Sequence, residues 1–303
     1  MKYYPEGARA SLYRKFESIG EIKEAIRNRD VAEGRVLLCD REHNLHIDLG
    51  VMEGVIPYRE GALGIREGTV RDIALISKVN KRVCFRIMGF HRRSNGTLCA
   101  VLSRRAVQLA CLEEYVNRLA PGDVIDARVT HLERFGAFID IGAGINSLIP
   151  IDMLSVSRIS HPRERLREGA MMKAVLRKRE EGKLTFSLKE LLGTWRENAA
   201  LFSAGETVTG IVRSVESYGV FVELMPNLAG LAEPCEDLKP GQSVSVFIKS
   251  ILPERMKIKL VIVERFEEAA PPRELRYFVH TPHISRWEYS PPESEKRIET
   301  VFE

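Results

Sequence analysis

The sequence predicts a chain dominated by β-structure: three tandem five-stranded barrels joined by short α-helices, with the first copy degenerate. Two observations carry that reading. Phe135-Gly-Ala-Phe-Ile-Asp-Ile141 and Tyr218-Gly-Val-Phe-Val-Glu-Leu224 are one strand motif written twice, since Phe135 to Tyr218 and Phe138 to Phe221 both differ by 83. Between such segments the apolar period changes from two to the spacing of a helix. At 303 residues the chain suits two or three compact units, and an apolar share of 44% can fill their cores.

In chain order, residues 1–30 read as a helical lead, with Ile19, Ile22, Ala25 and Ile26 at helical spacing after an irregular start. The first barrel, 31–105, is eroded. Leu45-His-Ile-Asp-Leu-Gly50 aligns with Ala137-Phe-Ile-Asp-Ile-Gly142 at an offset of 92, and His43 and His46 take the two aromatic slots. Its end, Leu102-Ser-Arg-Arg105, parallels Phe186-Ser-Leu-Lys189, and an insertion sits around Arg59 to Arg71. Residues 106–120 form a helical linker in which Leu109, Leu112, Val116 and Leu119 share a face.

The second barrel, 121–190, starts at the turn pair Pro121-Gly122. Ile125, Ala127 and Val129 point inward along its first strand, and Asp126, Arg128 and Thr130 point outward. Phe135-Gly136 marks a bend at which glycine supplies backbone freedom. A short strand around Leu148 and Ile149 precedes a long basic connection from His161-Pro162 to Gly169. Strands near 172–177 and 184–188 follow, the latter alternating Leu184, Phe186 and Leu188 with Lys183, Thr185 and Ser187. Five strands with one long connection after the third outline an OB-type barrel. A second linker, 191–203, holds Trp195. The third barrel, 204–264, repeats the pattern with a shortened connection; Ile258 and Leu260 alternate with Lys257 and Lys259. Residues 265–303 are an aromatic and proline-rich tail, punctuated from Pro271 and expected to fold back along the last barrel with Tyr277, Phe278, Trp287 and Tyr289.

Strand phase picks out the candidate site. Ala137, Ile139 and Ile141 face inward, which leaves Phe138 beside Asp140 on the polar side; Phe221 likewise stands beside Glu223. A ring among carboxylates on a solvated face suits base stacking, with packing against a neighbouring barrel as the alternative. The glycine bend leaves open which way Phe135 and Tyr218 turn. Lys183, Lys257 and Lys259 lie on outward phases of last strands, and Arg128 and Arg213 at equivalent outward positions on first strands. Each reads as an ordinary solvated charge or, beside an aromatic platform, as a phosphate contact.

Bulk properties narrow the function. The net charge of +4 is mild, but basic residues cluster at Arg177-Lys178-Arg179 and Arg163-Glu-Arg-Leu-Arg167. Five scattered cysteines without a Cys-x-x-Cys read as free thiols in a reducing compartment. There is no apolar leader and no apolar run of membrane length, so a cytoplasmic protein is expected. His43-x-x-His46 and His280-x-x-His283 lack a complementing cysteine or carboxylate, so no metal is expected, and His46 is left as a weak stacking group. Phosphate loops, zinc-protease helices and nucleophile elbows are missing, and carboxylates are scattered. An enzyme, a cofactor and a small-molecule substrate are therefore not expected.

These motifs resemble the S-one (S1) RNA-binding domain, an OB-fold family. The matching residues are Pro121-Gly-Asp-Val124, Phe135-Gly-Ala-Phe-Ile-Asp140, Ser147-Leu-Ile149 and Gly182-Lys-Leu-Thr-Phe-Ser-Leu-Lys189, then Gly205-Glu-Thr-Val208, Tyr218-Gly-Val-Phe221 and Gly230-Leu231. The chain as a whole is similar to short S-one-type proteins of the bacterial small ribosomal subunit. The resemblance implies that Phe135, Phe138, Arg179 and Lys183, and in the next copy Tyr218, Phe221 and Lys257, meet single-stranded RNA. Two departures stand out. The third-strand slot where the family often has histidine holds Pro150 and Glu233, and the first copy lacks both aromatics, which marks it as a non-binder or a protein-docking barrel. The expected function is non-enzymatic binding of mRNA at the small ribosomal subunit in translation initiation. The alternatives are an RNA-decay or RNA-processing accessory, or a ribosome-docking protein whose barrels bind protein.

Overall fold

The computed structural model describes residues 3–180, 182–235, 237–269 and 274–303; Lys2 in the lead and Pro271, at which the tail's punctuation begins, lie outside the described residues. The lead ends in α1 (Ile19–Asn28), capped by Ser18, which accepts from Glu21 N at 3.2 Å. Arg29 closes it in the left-handed region at φ 55°. Ile22 and Ala25 form its buried face.

The first barrel comprises β1 (Ala32–Cys39), β2 (Leu45–Asp48), β3 (Glu53–Ile56), β4 (Arg82–Arg92) and β5 (Leu98–Ser103), closed in the order β1-β2-β3-β5-β4. Period-two alternation sends Leu45, Ile47, Ile56, Phe85 and Leu102 into its core. The connection from β3 to β4 holds a 3₁₀ turn (Tyr58–Glu60) and α2 (Ile73–Ile76). The following α3 (Arg104–Glu114) is capped by Ser103, which accepts from Ala106 N at 2.9 Å. Its phase differs from the one the leucines suggest: Val107, Ala110 and Cys111 are buried with Arg104 and Gln108. Leu109 and Leu112 are half-buried, and Val116 is buried in the 3₁₀ turn that follows.

The second barrel comprises β6 (Val124–Glu133), β7 (Gly136–Asp140), β8 (Asn146–Pro150), β9 (Met171–Glu180) and β10 (Lys183–Ser187). After a 3₁₀ turn, α4 (Trp195–Ala199) starts at a capping box formed by Thr194 and Glu197. The third barrel comprises β11 (Thr207–Glu216), β12 (Gly219–Met225), β13 (Leu228–Ala232), β14 (Gln242–Leu252) and β15 (Lys257–Ala269). Both close in the order seen in the first barrel, so among the described residues three sheets share one cyclic arrangement. In each, the third and fifth strands pair in parallel: Val55 with Val101, Leu148 with Thr185, Leu231 with Lys259. The fold is β-dominated and of OB type, as the alternation predicts.

The tail folds back. β16 (Arg286–Glu288) pairs with β17 (Glu299–Val301), and Trp287 and Tyr289 join Trp195 in the core of the third barrel. Tyr289 donates its hydroxyl to Asn227 O at 2.6 Å. Two compact units result. One gathers the residues through Leu119 with 126–128 and 140–146; the other holds the rest of the second barrel, the third barrel and the tail. The five cysteines are unpaired, and no helix among the described residues is long and apolar enough to cross a membrane.

Candidate nucleic-acid interface

The glycine inside each aromatic motif is required by close approach. A Cβ on Gly136 would run into Ile149 O, and one on Gly219 into Ala232 O, so β7 and β12 can press against their third strands only without a side chain there. The residue before each glycine is thrown outward: Phe135 is 57% exposed and Tyr218 is 64% exposed. Phe138 and Phe221 are half-buried. The rings meet edge to face, with centroids 5.9 Å apart at 89° for Phe135 and Phe138, and 6.2 Å apart at 87° for Tyr218 and Phe221. Both barrels thus carry the same T-shaped pair, in which the first aromatic is the outer ring and the second supports it.

Strand register sets the rest of the face. Phe221 on β12 stands opposite Leu231 on β13, which stands opposite Lys259 on β15. At the usual strand separation, Lys259 lies roughly 10 Å from Phe221. Lys257 is exposed on the same side of β15, two residues earlier. In the second barrel Leu148 faces Thr185, and Lys183 is exposed two residues before it. Arg179 is exposed on β9, in register with Leu184. Leu148 and Leu231 were not among the expected site residues, although the 83-residue offset that relates the rings relates them too. Pro150 ends β8, and Glu233 follows β13 as an exposed residue.

Three expectations are overturned. Asp140 and Glu223 are not on a solvated face: they are 2% and 1% exposed. Asp140 accepts hydrogen bonds from Glu6 N (2.7 Å), Gly142 N (2.8 Å) and Gly144 N (3.0 Å). Burial, assisted by the Glu6 carboxylate, lifts its pKa to about 6. Glu223 instead meets two guanidinium groups, Arg165 and Arg213, the latter at 2.7 and 3.0 Å.

Arg213 is therefore not a phosphate contact. Its side chain is buried between Glu223 and Glu164, where two carboxylates compensate its lost hydration. Arg128 is half-buried on the outward phase of β6 and donates from Nη1 to Glu6 O at 2.6 Å. The basic run from Arg163 to Arg167 is also not simply a cationic surface, because Arg165 is buried against Glu223 and donates from Nε to Ser155 Oγ at 3.1 Å.

Around Glu6 lies the second buried network. Its carboxylate takes Arg104 at 2.6 and 3.0 Å, Lys78 at 3.2 Å and Cys84 N at 3.1 Å. Burial alone would raise its pKa, but the two cations hold it far below the usual carboxylate range. His46, in the inner aromatic slot of the first barrel, is clasped by Asp40 (2.9 Å) and Glu53. Burial pulls its pKa down and the carboxylates more than reverse this, so it is raised. Held in this way, His46 is no counterpart to an exposed ring. His283 bonds Asp123 at 2.8 Å.

Residues 118–189, which contain the second barrel, match the family model described as the S1 RNA binding domain. The small ribosomal subunit protein bS1 of Leuconostoc lactis is 33% identical over 194 residues, covering 58% of this chain and 44% of that protein. The bS1 homolog of Bacillus cereus (strain ATCC 10987 / NRS 248) is 30% identical over 242 residues, covering 74% and 60%. A multidomain protein with nucleic acid binding domains from Streptococcus pneumoniae TIGR4 is a structural match at 13% identity and TM-score 0.27, covering 79% of this chain and 75% of its own. The chain spans about half the length of the curated relatives it matches.

Proposed function

We propose that this chain, which carries an S1-type domain in its second barrel, is a non-enzymatic binder of single-stranded RNA. On this reading 31–105, 121–190 and 204–264 are tandem modules of one kind, and the second and third grip RNA. The observation that carries it is the repeated edge-to-face pair, with its outer ring exposed at the same register in both barrels. Such a ring offers a face to any base, and stacking is worth about 1–3 kcal/mol per base without regard to sequence. Phe135 and Tyr218 are the stacking residues, Phe138 and Phe221 hold them, and Arg179, Lys183, Lys257 and Lys259 meet phosphates. Two grips on one chain gain avidity when both engage a strand. The similar curated proteins are named as small ribosomal subunit proteins, so the proposed setting is the cytoplasmic small subunit, with mRNA captured for translation initiation.

The test is anisotropy of labelled oligouridylate with the full chain at low salt. Phe135→Ala with Tyr218→Ala removes two stacking contacts, and affinity should fall at least about 30-fold. An unchanged affinity with an intact circular-dichroism spectrum would remove the RNA-gripping role from these faces.

A further inference from the structure

We infer that the first barrel has a single-nucleotide pocket of its own, in which a base packs on Tyr58 and its phosphate meets Arg59 and Arg66. This rests on the RNA-binding reading and extends it to the one barrel without a ring pair. A cavity of about 500 Å³ lined by Tyr58, Arg59, Ile65 and Arg66 opens where β3 passes into the long connection. That volume is within the range of small-ligand sites.

Tyr58 is held before any ligand arrives. Its backbone N donates to Asn44 Oδ1 at 2.9 Å and its hydroxyl to Asp72 Oδ1 at 2.6 Å. Asn44 is locked in turn by Asp40, donating from N at 2.8 Å and from Nδ2 at 3.0 Å. The ring lies 5.9 Å from that of His43, tilted by 50°. His43 occupies the slot that Phe135 and Tyr218 fill elsewhere. An aromatic surface beside that slot is thus rebuilt from the end of a different strand.

The cations are placed as well. Arg66 donates from Nη2 to Glu60 and from Nε to Arg59 O at 3.3 Å, which fixes the guanidinium; among the described residues its Nη1 has no acceptor. Arg59 is exposed. The nearby acids are engaged: Glu60 also takes the Ser103 hydroxyl, and Asp72 takes that of Tyr58. A planar fork beside a ring and the buried Ile65 suits a base with an attached phosphate better than a lone carboxylate, which would leave the apolar wall wet.

The probe is adenosine 5′-monophosphate, titrated into the isotope-labelled full chain while backbone amides are followed. Saturable shifts are expected across residues 58–66, surviving in Phe135→Ala/Tyr218→Ala. Arg59→Gln, a change at an exposed side chain, should weaken that response about tenfold, and Tyr58→Leu should do the same. Silence at 58–66 overturns this pocket whether or not amides near Phe135 and Tyr218 respond; the RNA reading is judged separately by the oligouridylate titration. An equal response to N-acetylglutamate, or one indifferent to Arg59→Gln, makes the cavity a general carboxylate site and overturns the inference.

Discussion

Asp140 and Glu223 occupy the same position in successive barrels, two residues beyond the inner ring, yet they are neutralised by different chemistry. Asp140 is wrapped by three backbone amides, two from the turn that follows it and one from the lead. Glu223 is gripped by two arginines, one from its own barrel and one from the long connection of the barrel before. The counterpart in the first barrel, Asp48, stays near solvent, bonded to Lys15 at 2.6 Å and Gly50 N at 2.8 Å. A carboxylate at this position carries no instruction to face water. What covers it decides the outcome, and amides and guanidinium groups lead to different sensitivities.

The largest effect should come from breaking that contrast. Glu223→Ala leaves buried Arg165 without a carboxylate and Arg213 with Glu164 alone, and should cost about 3–5 kcal/mol. Asp140→Asn keeps an acceptor for two of its three amides and should cost about 1–2 kcal/mol. Urea unfolding of each variant measures both, and equal losses would mean that the two environments are energetically alike.

Acidity is the next discriminator. Glu33 is buried, accepts from Gly7 N at 3.0 Å with one oxygen, and among the described residues has no partner for Oε2. Burial lifts its pKa from 4.5 to about 7. The folded chain therefore holds more protons than the unfolded one between those values, and stability falls as pH rises through them, by about 3 kcal/mol for this group. Asp140, lifted to about 6, adds loss in the same direction. Glu6, held low, adds stability that is lost only in strong acid. Thermal melts should show Glu33→Gln more stable than the parent at pH 8 and nearly equal at pH 4.5; a parent melt that stays level over that interval contradicts the burial argument.

The smallest effect concerns the rings' neighbours. Thr185 takes in the second barrel the place that Lys259 takes in the third. Thr185→Lys should add one phosphate contact, steepening the salt dependence of RNA binding by about 0.7 in the log–log slope. An unchanged slope would mean that this position does not meet the backbone of the ligand.

Much of this was legible in the residues. Alternation in Leu184 to Leu188 and Ile258 to Leu260 marks the last strands, and the 83-residue offset marks the paired rings. The fold class followed because alternation is read within one strand and the offset repeats that strand. What failed was long-range. Glu223 looks solvated until Arg165 arrives from 58 residues away, and Asp140 until Glu6 arrives from 134 away. Phase sets Arg128 and Arg213 outward, but it does not reveal a carbonyl or a carboxylate already waiting on that side. The relative exposure of Phe135 and Phe138 depended on a glycine pressed against a carbonyl, which strand periodicity does not contain.

The last barrel borrows Trp287 and Tyr289 from beyond its own final strand. During synthesis its strands leave the ribosome before those rings do, so its core stays open until Trp287 and Tyr289 have followed. The neighbouring barrel, already threaded by then, can act as a template for Arg165 to find Glu223, and any pause or cleavage upstream of Trp287 would leave a sticky, half-finished module for chaperones and proteases to recognise.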